Sequence, residues 1–267
     1  MNILNKIIES KKAEIAYQKS VIQIEILKMS PYFNKECISL KAGLLKKDSS
    51  GIIAEFKQQS PSKGVINANA KVEEVTRAYT EAGAVCLSVL TESEFFGGSQ
   101  ANLIKAREVN PEIPILRKDF MIDTYQLFEA KAYGADVILL IAACLEKKQA
   151  ELLAQQAKNL GMEVLMEIHN EEELEKINDF VDIVGVNNRD LKTFEVNIET
   201  SVRLGKLIPD RFLKVSESGL SGVKEIHYLR TNGFMGFLIG ETFMRTDNPG
   251  ETCRKFIEEL KQHAKNA

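Results

Sequence analysis

The chain has 267 residues, 44% of them hydrophobic and 27% charged, a composition that supports a full globular core and excludes whole-chain disorder or a small disulfide scaffold. Its 35 basic residues face 38 acidic ones, for a net charge of −3, so no basic footprint for nucleic acid is expected. No apolar run is long enough to cross a bilayer, and the N-terminus lacks an apolar signal core, so a cytoplasmic protein away from membranes is expected.

Residues 1–50 open with a helical pattern, Ile3, Ile7, Ile8 and Ile15 among lysines and glutamates, with an interruption expected at Ser30–Pro31. The segment reads as a helical extension packed on the rest of the chain. From Gly51 onward two kinds of segment alternate. Short apolar runs at 52–54, 85–90, 113–116, 137–141, 164–166, 183–186, 212–215 and 237–239 read as buried parallel strands. Between and after them, apolar residues on a spacing of three or four predict helices over 72–82, 103–109, 125–133, 150–160, 171–177, 198–207, 223–229 and 256–260. Gly83, Gly134 and Gly161 read as helix stops.

Eight such units predict an α/β fold, a closed (β/α)8 TIM barrel, with residues 51–267 as one catalytic domain and residues 1–50 as its extension. An open doubly wound sheet would carry a glycine-rich first turn, and no GxGxxG follows the first run. The cysteines Cys37, Cys86, Cys144 and Cys253 form no CxxC pair, and there are only three histidines, so no metal site is expected. Cys86 and Cys144 lie in apolar runs and read as packing residues.

In a parallel barrel the chemistry sits at the C-terminal strand ends. There the runs lead into Glu55-Phe56-Lys57, Arg117-Lys118-Asp119, Glu167-Ile168-His169, Asn187-Asn188-Arg189-Asp190, Ser216-Glu217-Ser218-Gly219 and Gly240-Glu241. Glu55 and Lys57 are two apart and share a face; both reach the lumen if Ile53 does. Charges inside a barrel are costly unless paired, so a cluster of lysines and carboxylates is expected over one mouth. The glycine turns after the seventh and eighth runs suit backbone capture of a phosphate. The long segment after the first run, with Ser60-Pro61-Ser62-Lys63-Gly64, suggests a flexible lid, and Phe95-Phe96-Gly97-Gly98-Ser99 offers aromatics on which a flat ligand could stack.

In order and over essentially the whole chain, these stretches resemble the indole-3-glycerol-phosphate synthase family. The resemblance rests on Ile53–Lys57 with Ser60–Gly64, Ser88–Glu92 with Phe95–Ser99, Leu116–Phe120, Glu163–Glu167, Asn187–Leu191, Ser216–Gly219 and Leu238–Glu241, and extends to Ile7, Ile8, Lys11 and Glu14 near the start. One departure is Gln58 and Gln59, where the family often has a basic residue.

The resemblance implies a small-molecule substrate, 1-(2-carboxyphenylamino)-1-deoxyribulose 5-phosphate, closed to an indole with loss of carbon dioxide and water, and no cofactor. It implies Lys118 as the acid of ring closure, with a pKa expected to be depressed toward 7 by burial and cationic neighbours. Lys57 would be the acid of dehydration and either Glu55 or Glu167 the base. Asn187 and Glu217 would orient substrate hydroxyls or the lysines. Ser60 would touch substrate, Arg189 would bind its carboxylate or hold the loop, and Phe96, Phe120 and Leu140 would bed its ring. The phosphate would rest near Ser218, Gly219, Gly240 and Glu241, with Lys57 adding a donor. The expected state is a monomer, with at most weak association with other tryptophan-pathway enzymes. Two rivals remain at this point. A phosphosugar isomerase such as phosphoribosylanthranilate isomerase would be expected to use a Cys/Asp pair, and no cysteine ends the first run. A non-catalytic phosphate-ligand sensor would bind substrate without turnover.

Overall fold

The computed structural model describes residues 3–266, leaving Met1, Asn2 and Ala267 outside the described residues. Before the barrel come α1 (Ile3–Val21), α2 (Ile24–Leu27) and α3 (Leu40–Leu45). The break in the extension falls earlier than Ser30–Pro31, because α1 already stops at Val21 and α2 is a single turn. On α1 the buried stripe is Ile7, Lys11 and Ile15, spaced four apart. Ile15 packs with Leu27, Tyr125 and Ala132, and Tyr125 Oη donates to the carbonyls of Gln18 and Ile22, so the extension lies on the barrel wall.

Each of the eight apolar runs contributes a strand: β1 (Ile52–Phe56), then, past the short antiparallel pair β2 (Gln59–Ser60) and β3 (Gly64–Val65), β4 (Cys86–Leu90), β5 (Ile115–Lys118), β6 (Val137–Ile141), β7 (Glu163–Ile168), β8 (Ile183–Asn187), β9 (Leu213–Glu217) and β10 (Gly236–Ile239). The eight long strands pair in parallel in chain order, and β10 closes on β1. Both faces of each strand are covered, which is why the runs are continuously apolar rather than alternating. The pleat still sorts them. Ile53, Leu116, Val137, Leu139, Leu165, Ile183, Val215 and Leu238 meet inside the barrel, while Ile52, Ala54, Leu87, Ile138, Leu140 and Val164 face the helices. Leu40 and Leu44 of α3 join the inner set and plug its N-terminal end.

The outer ring is α4 (Val72–Ala82), α5 (Gln100–Val109), α6 (Tyr125–Ala132), α7 (Lys147–Asn159), α8 (Glu199–Gly205), α9 (Val223–Thr231), α10 (Glu241–Met244) and α11 (Pro249–Asn266). At the first helix stop, Gly83 has φ 96, and the Gly83 and Ala84 N–H groups turn back to Thr80 and Tyr79. The helix expected over 171–177 is instead a 3-10 turn, Glu172–Lys176. Its Glu173 carboxylate folds back onto the His169 N–H and the Asn170 side chain, and that holds the segment in a tight turn. Cys86 is buried and Cys144 half-buried. Among the described residues no helix is long and apolar enough to cross a membrane.

Candidate active site

The pleat decides which polar residues reach the lumen. Ile53 faces inward, so Glu55 and Lys57 follow it. Leu116 leads in the same way to Lys118, Leu165 to Glu167, Ile183 to Asn187, and Val215 to Glu217. All stand at C-terminal strand ends, and all line one cavity of about 490 Å³.

Lys118 is the hub. Its Nζ donates to Glu167 Oε2 at 2.7 Å and to Glu217 Oε2 at 2.9 Å. Glu167 Oε1 accepts from Asn187 Nδ2 at 3.0 Å. Beside them Lys57 Nζ pairs with Glu55 Oε1 at 2.8 Å, and Glu55 Oε2 accepts from the Ser88 hydroxyl at 3.3 Å. The structure corrects the expected downward pKa shift of Lys118. Burial does pull it down, but Glu167, Glu217 and Glu55 outweigh burial and raise it above the ordinary lysine value. Its neighbours are carboxylates, not cations. Glu217 bears the cost of the arrangement: burial first, then repulsion from Glu167 and Glu55, outweigh Lys118 and push it up to about 7. Its Oε1 has no hydrogen-bond partner among the described residues.

Phe96 and Phe120 form one wall, ring centroids 6.0 Å apart and tilted by 42°. Phe96 is placed by Glu92, a buried carboxylate that accepts from the N–H groups of Glu94, Phe95 and Phe96. Leu140 does not join them. It faces the helix layer, because β6 puts Leu139 and Ile141 on the inner side, and those two line the cavity. Part of the remaining apolar lining comes from an unexpected source, Ile3, Leu4 and Ile7 of α1.

At the other end of the cavity the chain turns sharply after β9. Ser218 has φ 67, uncommon for a residue with a side chain, followed by Gly219 at φ 75. Asn188 braces this turn by donating to the Ser218 carbonyl at 3.0 Å. Gly240 follows β10 with an ordinary negative φ; its missing Cβ makes room for Glu55, whose Oε1 would lie 2.6 Å from one. The Glu241 carboxylate points at cations, 3.6 Å from Lys63 Nζ and 3.8 Å from Arg189 Nη2. Its side chain therefore opposes an anion, and only its backbone N–H suits one. Arg245 also lines this end.

Ser60 is buried in the short hairpin, its hydroxyl 3.5 Å from that of Ser62. The segment expected to be a flexible lid is braced at its base. Gln58 Nε2 donates to the carbonyls of Ala68 and Ala70, and Gln59 Nε2 to that of Phe95. The two glutamines that depart from the family pattern thus tie loops together. Arg245 and, on α1, Leu4 belong to no motif, and only the fold brings them to the mouth. Of the residues to which the resemblance gives a role, all but Leu140 line the same cavity.

A parallel barrel with lysines and carboxylates interleaved over its C-terminal rim defines a (β/α)8 protein whose mouth carries the groups that acid–base chemistry needs. Comparison with known proteins narrows this class. The family model described as indole-3-glycerol phosphate synthase matches residues 4–259, and the chain belongs to that family, lyases of tryptophan biosynthesis. It is 49% identical over 259 residues to the indole-3-glycerol phosphate synthase of Bacteroides thetaiotaomicron, covering 97% of this chain and 99% of that one. It is 43% identical over 253 residues to the enzyme of that name from Neisseria meningitidis, covering 92% and 96%. Among solved structures, 3-hexulose-6-phosphate synthase from Salmonella typhimurium superposes with TM-score 0.64 at 13% identity, over 79% of this chain and 99% of that one. The tryptophan synthase α subunit of Legionella pneumophila gives 0.61 at 11%, over 86% and 100%. At such identities these two speak for the fold alone.

Proposed function

We propose that this chain converts 1-(2-carboxyphenylamino)-1-deoxyribulose 5-phosphate to indole-3-glycerol phosphate, carbon dioxide and water, with Lys118 as the acid of ring closure. The observation that carries the assignment is the position of Lys118 Nζ, within 2.9 Å of carboxylates from two other strands at the centre of the cavity. The substrate ring lies against Phe96 and Phe120, with Leu139 and Ile141 below. Its ring carbon attacks the ketone. The ketone oxygen becomes an alkoxide, a far stronger base than any amine, so a lysine with a raised pKa still protonates it. Carbon dioxide then leaves and the ring regains aromaticity, aided by an apolar bed that disfavours the carboxylate.

In dehydration Lys57 protonates the departing hydroxyl, and a carboxylate removes the proton from the neighbouring carbon. Both Glu55, paired with Lys57, and Glu167, paired with Lys118, stand within the cavity for that step. Asn187 and Glu217 hold the lysines and the substrate hydroxyls, with Ser60 at the mouth. The phosphate sits on the backbone of Ser218, Gly219, Gly240 and Glu241, with Lys57, Lys63, Arg189 and Arg245 supplying charge. Residues 1–50 and the barrel from 51 onward work as one catalytic unit, since α1 lines the cavity. We take the enzyme to be a cytoplasmic monomer whose contacts with other pathway enzymes are weak, in keeping with its mild net charge.

The test is direct. Indole fluorescence should rise with time after substrate is added, and inorganic phosphate should slow it competitively. Substrate binding without any rise would leave a sensor, not an enzyme.

A further inference from the structure

β7 brings another ionisable group toward the mouth that the acid–base scheme leaves unused. His169 lies two residues beyond Glu167, just past the strand end, and its side chain is only 9% exposed. Its Nε2 is 3.1 Å from Glu167 Oε1, a close ionic contact off the line of a hydrogen bond, and its Nδ1 is 3.3 Å from Glu173 Oε2. Glu173 is fixed in turn. Its Oε2 accepts from the His169 N–H at 2.8 Å and its Oε1 from Asn170 Nδ2 at 2.9 Å. A carboxylate–imidazole–carboxylate chain therefore runs from the 3-10 turn to the reacting centre.

Glu167 and Glu217 present an asymmetry that Lys118 cannot explain. Both are buried, and both hold the same Nζ at nearly the same distance. Two buried carboxylates sharing one ammonium are one positive charge short, and the second proton is retained wherever the environment is poorer. Glu167 has Asn187 and His169 on its Oε1, whereas Glu217 Oε1 faces Gly185 with no partner among the described residues. We propose that His169 is a positioning residue that selects Glu167, rather than Glu217, as the ionised partner of Lys118. This rests on the assignment of Lys118 and Glu167 to the reaction made above.

The charge that this needs is available on the imidazole. Burial lowers its pKa, but the contacts to Glu167 and Glu173 outweigh burial and raise it to about 9. The other ionisable groups around the ring do not compete. Burial, then Glu167 and Glu173, push the Cys144 thiol up, so it stays neutral, and Lys176 Nζ is committed to the Ala142 carbonyl at 2.9 Å. Burial raises the Glu167 pKa, but Lys118, then His169 and Asn187, outweigh it and hold Glu167 well below the ordinary carboxylate value, and Glu217 is left as the partner that keeps its proton.

The test compares pH profiles of kcat for the wild type, His169→Gln and His169→Ala, with thermal melting of each. Gln keeps an N–H near Glu167 but removes the charge. Both variants should move the acidic limb of kcat to higher pH by about one unit, because the Glu167 pKa rises once its cation is gone. At pH 7, where Glu167 stays ionised, kcat and KM should each stay within about threefold of the wild type, and Gln should recover part of any loss seen with Ala but none of the moved limb. The ¹⁵N shifts of His169 in the wild type should report a protonated ring at pH 7.5. An unmoved limb in variants that melt like the wild type, or a neutral ring at that pH, overturns the proposal. Glu167→Gln is the control. If it abolishes turnover while the His169 variants leave the profile unchanged, only the role of His169 falls; if it keeps wild-type turnover, the reading of the site falls and takes this inference with it.

Discussion

Lys11, on the helix that precedes the barrel, reaches Asp119, the residue after Lys118, at 2.9 Å, with both side chains essentially excluded from water. Asp119 also accepts from the Thr91 hydroxyl, the Arg117 guanidinium and the Phe120 N–H. One carboxylate therefore fixes the turn that carries both Lys118 and the aromatic wall, and α1 is clamped to it. Burial alone would raise the Asp119 pKa; Lys11 and Arg117 reverse this and hold it at about 2, below its ordinary 3.8. The ionised form is favoured by folding, so about 2 kcal/mol of stability is present above the ordinary value and is lost as pH falls through about 2. Lys11→Met removes one of the two cations. Losing a partner from a buried pair typically costs about 3–5 kcal/mol, and Arg117 should hold the loss nearer 2. Urea unfolding at pH 7 should show that loss, and kcat should drop as the Lys118 turn loosens. Unchanged stability and turnover together would mean that α1 merely rests on the barrel.

For Lys118 itself, general acid help is typically worth about 10²–10⁴-fold. Lys118→Ala should therefore cut turnover by at least about a hundredfold while far-ultraviolet circular dichroism stays that of the wild type. Turnover within tenfold would remove Lys118 from the mechanism. Because carboxylates surround it and raise its pKa, Lys118 itself should contribute no limb to the kcat profile between pH 6 and 9.

A limb near neutrality should instead belong to Glu217, held at about 7 against an ordinary 4.5. Between those values the folded chain binds a proton that the unfolded chain has released, so stability falls as pH rises across the window. Glu217→Gln abolishes this loss. Its melting temperature relative to wild type should be higher at pH 8 than at pH 5, by at least about 2 °C. A difference that is the same at both pH values would show that Glu217 is ionised throughout.

The eight strands and the mouth were legible because parallel strands buried on both faces stay apolar until they reach the site, so each polar break marks a strand end. Glu55, Lys57, Lys118, Glu167, Asn187 and Glu217 all announce themselves in that way. Leu140 was misplaced because a continuously apolar run does not reveal its phase; in β6 the inner set is Val137, Leu139 and Ile141. The sign of the Lys118 shift was illegible because it depends on which charges other strands bring close, Glu167 and Glu217 within 2.9 Å and Glu55 farther off. Lys11 did leave a signal, since a lysine placed between Ile7 and Ile15 on one helical stripe must find a buried anion. His169 left a weaker one, sharing the period-two face of Glu167, and it became meaningful only when the turn holding Glu173 closed against it.

Gly240 has a narrower role than its place after a strand suggests. With φ −122 and ψ −64, alanine fits its backbone without left-handed strain. A Cβ there would nevertheless lie 2.6 Å from Glu55 Oε1 and 3.1 Å from Glu55 Cβ. Gly240→Ala should displace Glu55 and, through it, Lys57, lowering kcat by about tenfold or more at a stability cost of about 1–3 kcal/mol. A double-mutant cycle isolates the cause: in a Glu55→Ala background the glycine substitution should cost little further turnover. Additive losses would place the effect in the backbone instead.

Glu241 offers the sharpest test of the anion end, because its two parts act in opposite directions. Its carboxylate occupies Lys63 and Arg189 at 3.6 and 3.8 Å, while its N–H opens α10 beside Gly240. A phosphate arriving at this turn must compete with that carboxylate for the same cations. Glu241→Gln keeps the backbone donor and frees both side chains. Exposed pairs of this kind are worth about 0.2–1 kcal/mol each, so inorganic phosphate should inhibit the variant at a concentration lower by about twofold to tenfold. The gain should shrink as ionic strength rises, since it comes from partly exposed charges. Weaker phosphate inhibition in Glu241→Gln would instead show that the carboxylate holds Lys63 and Arg189 in place for the ligand.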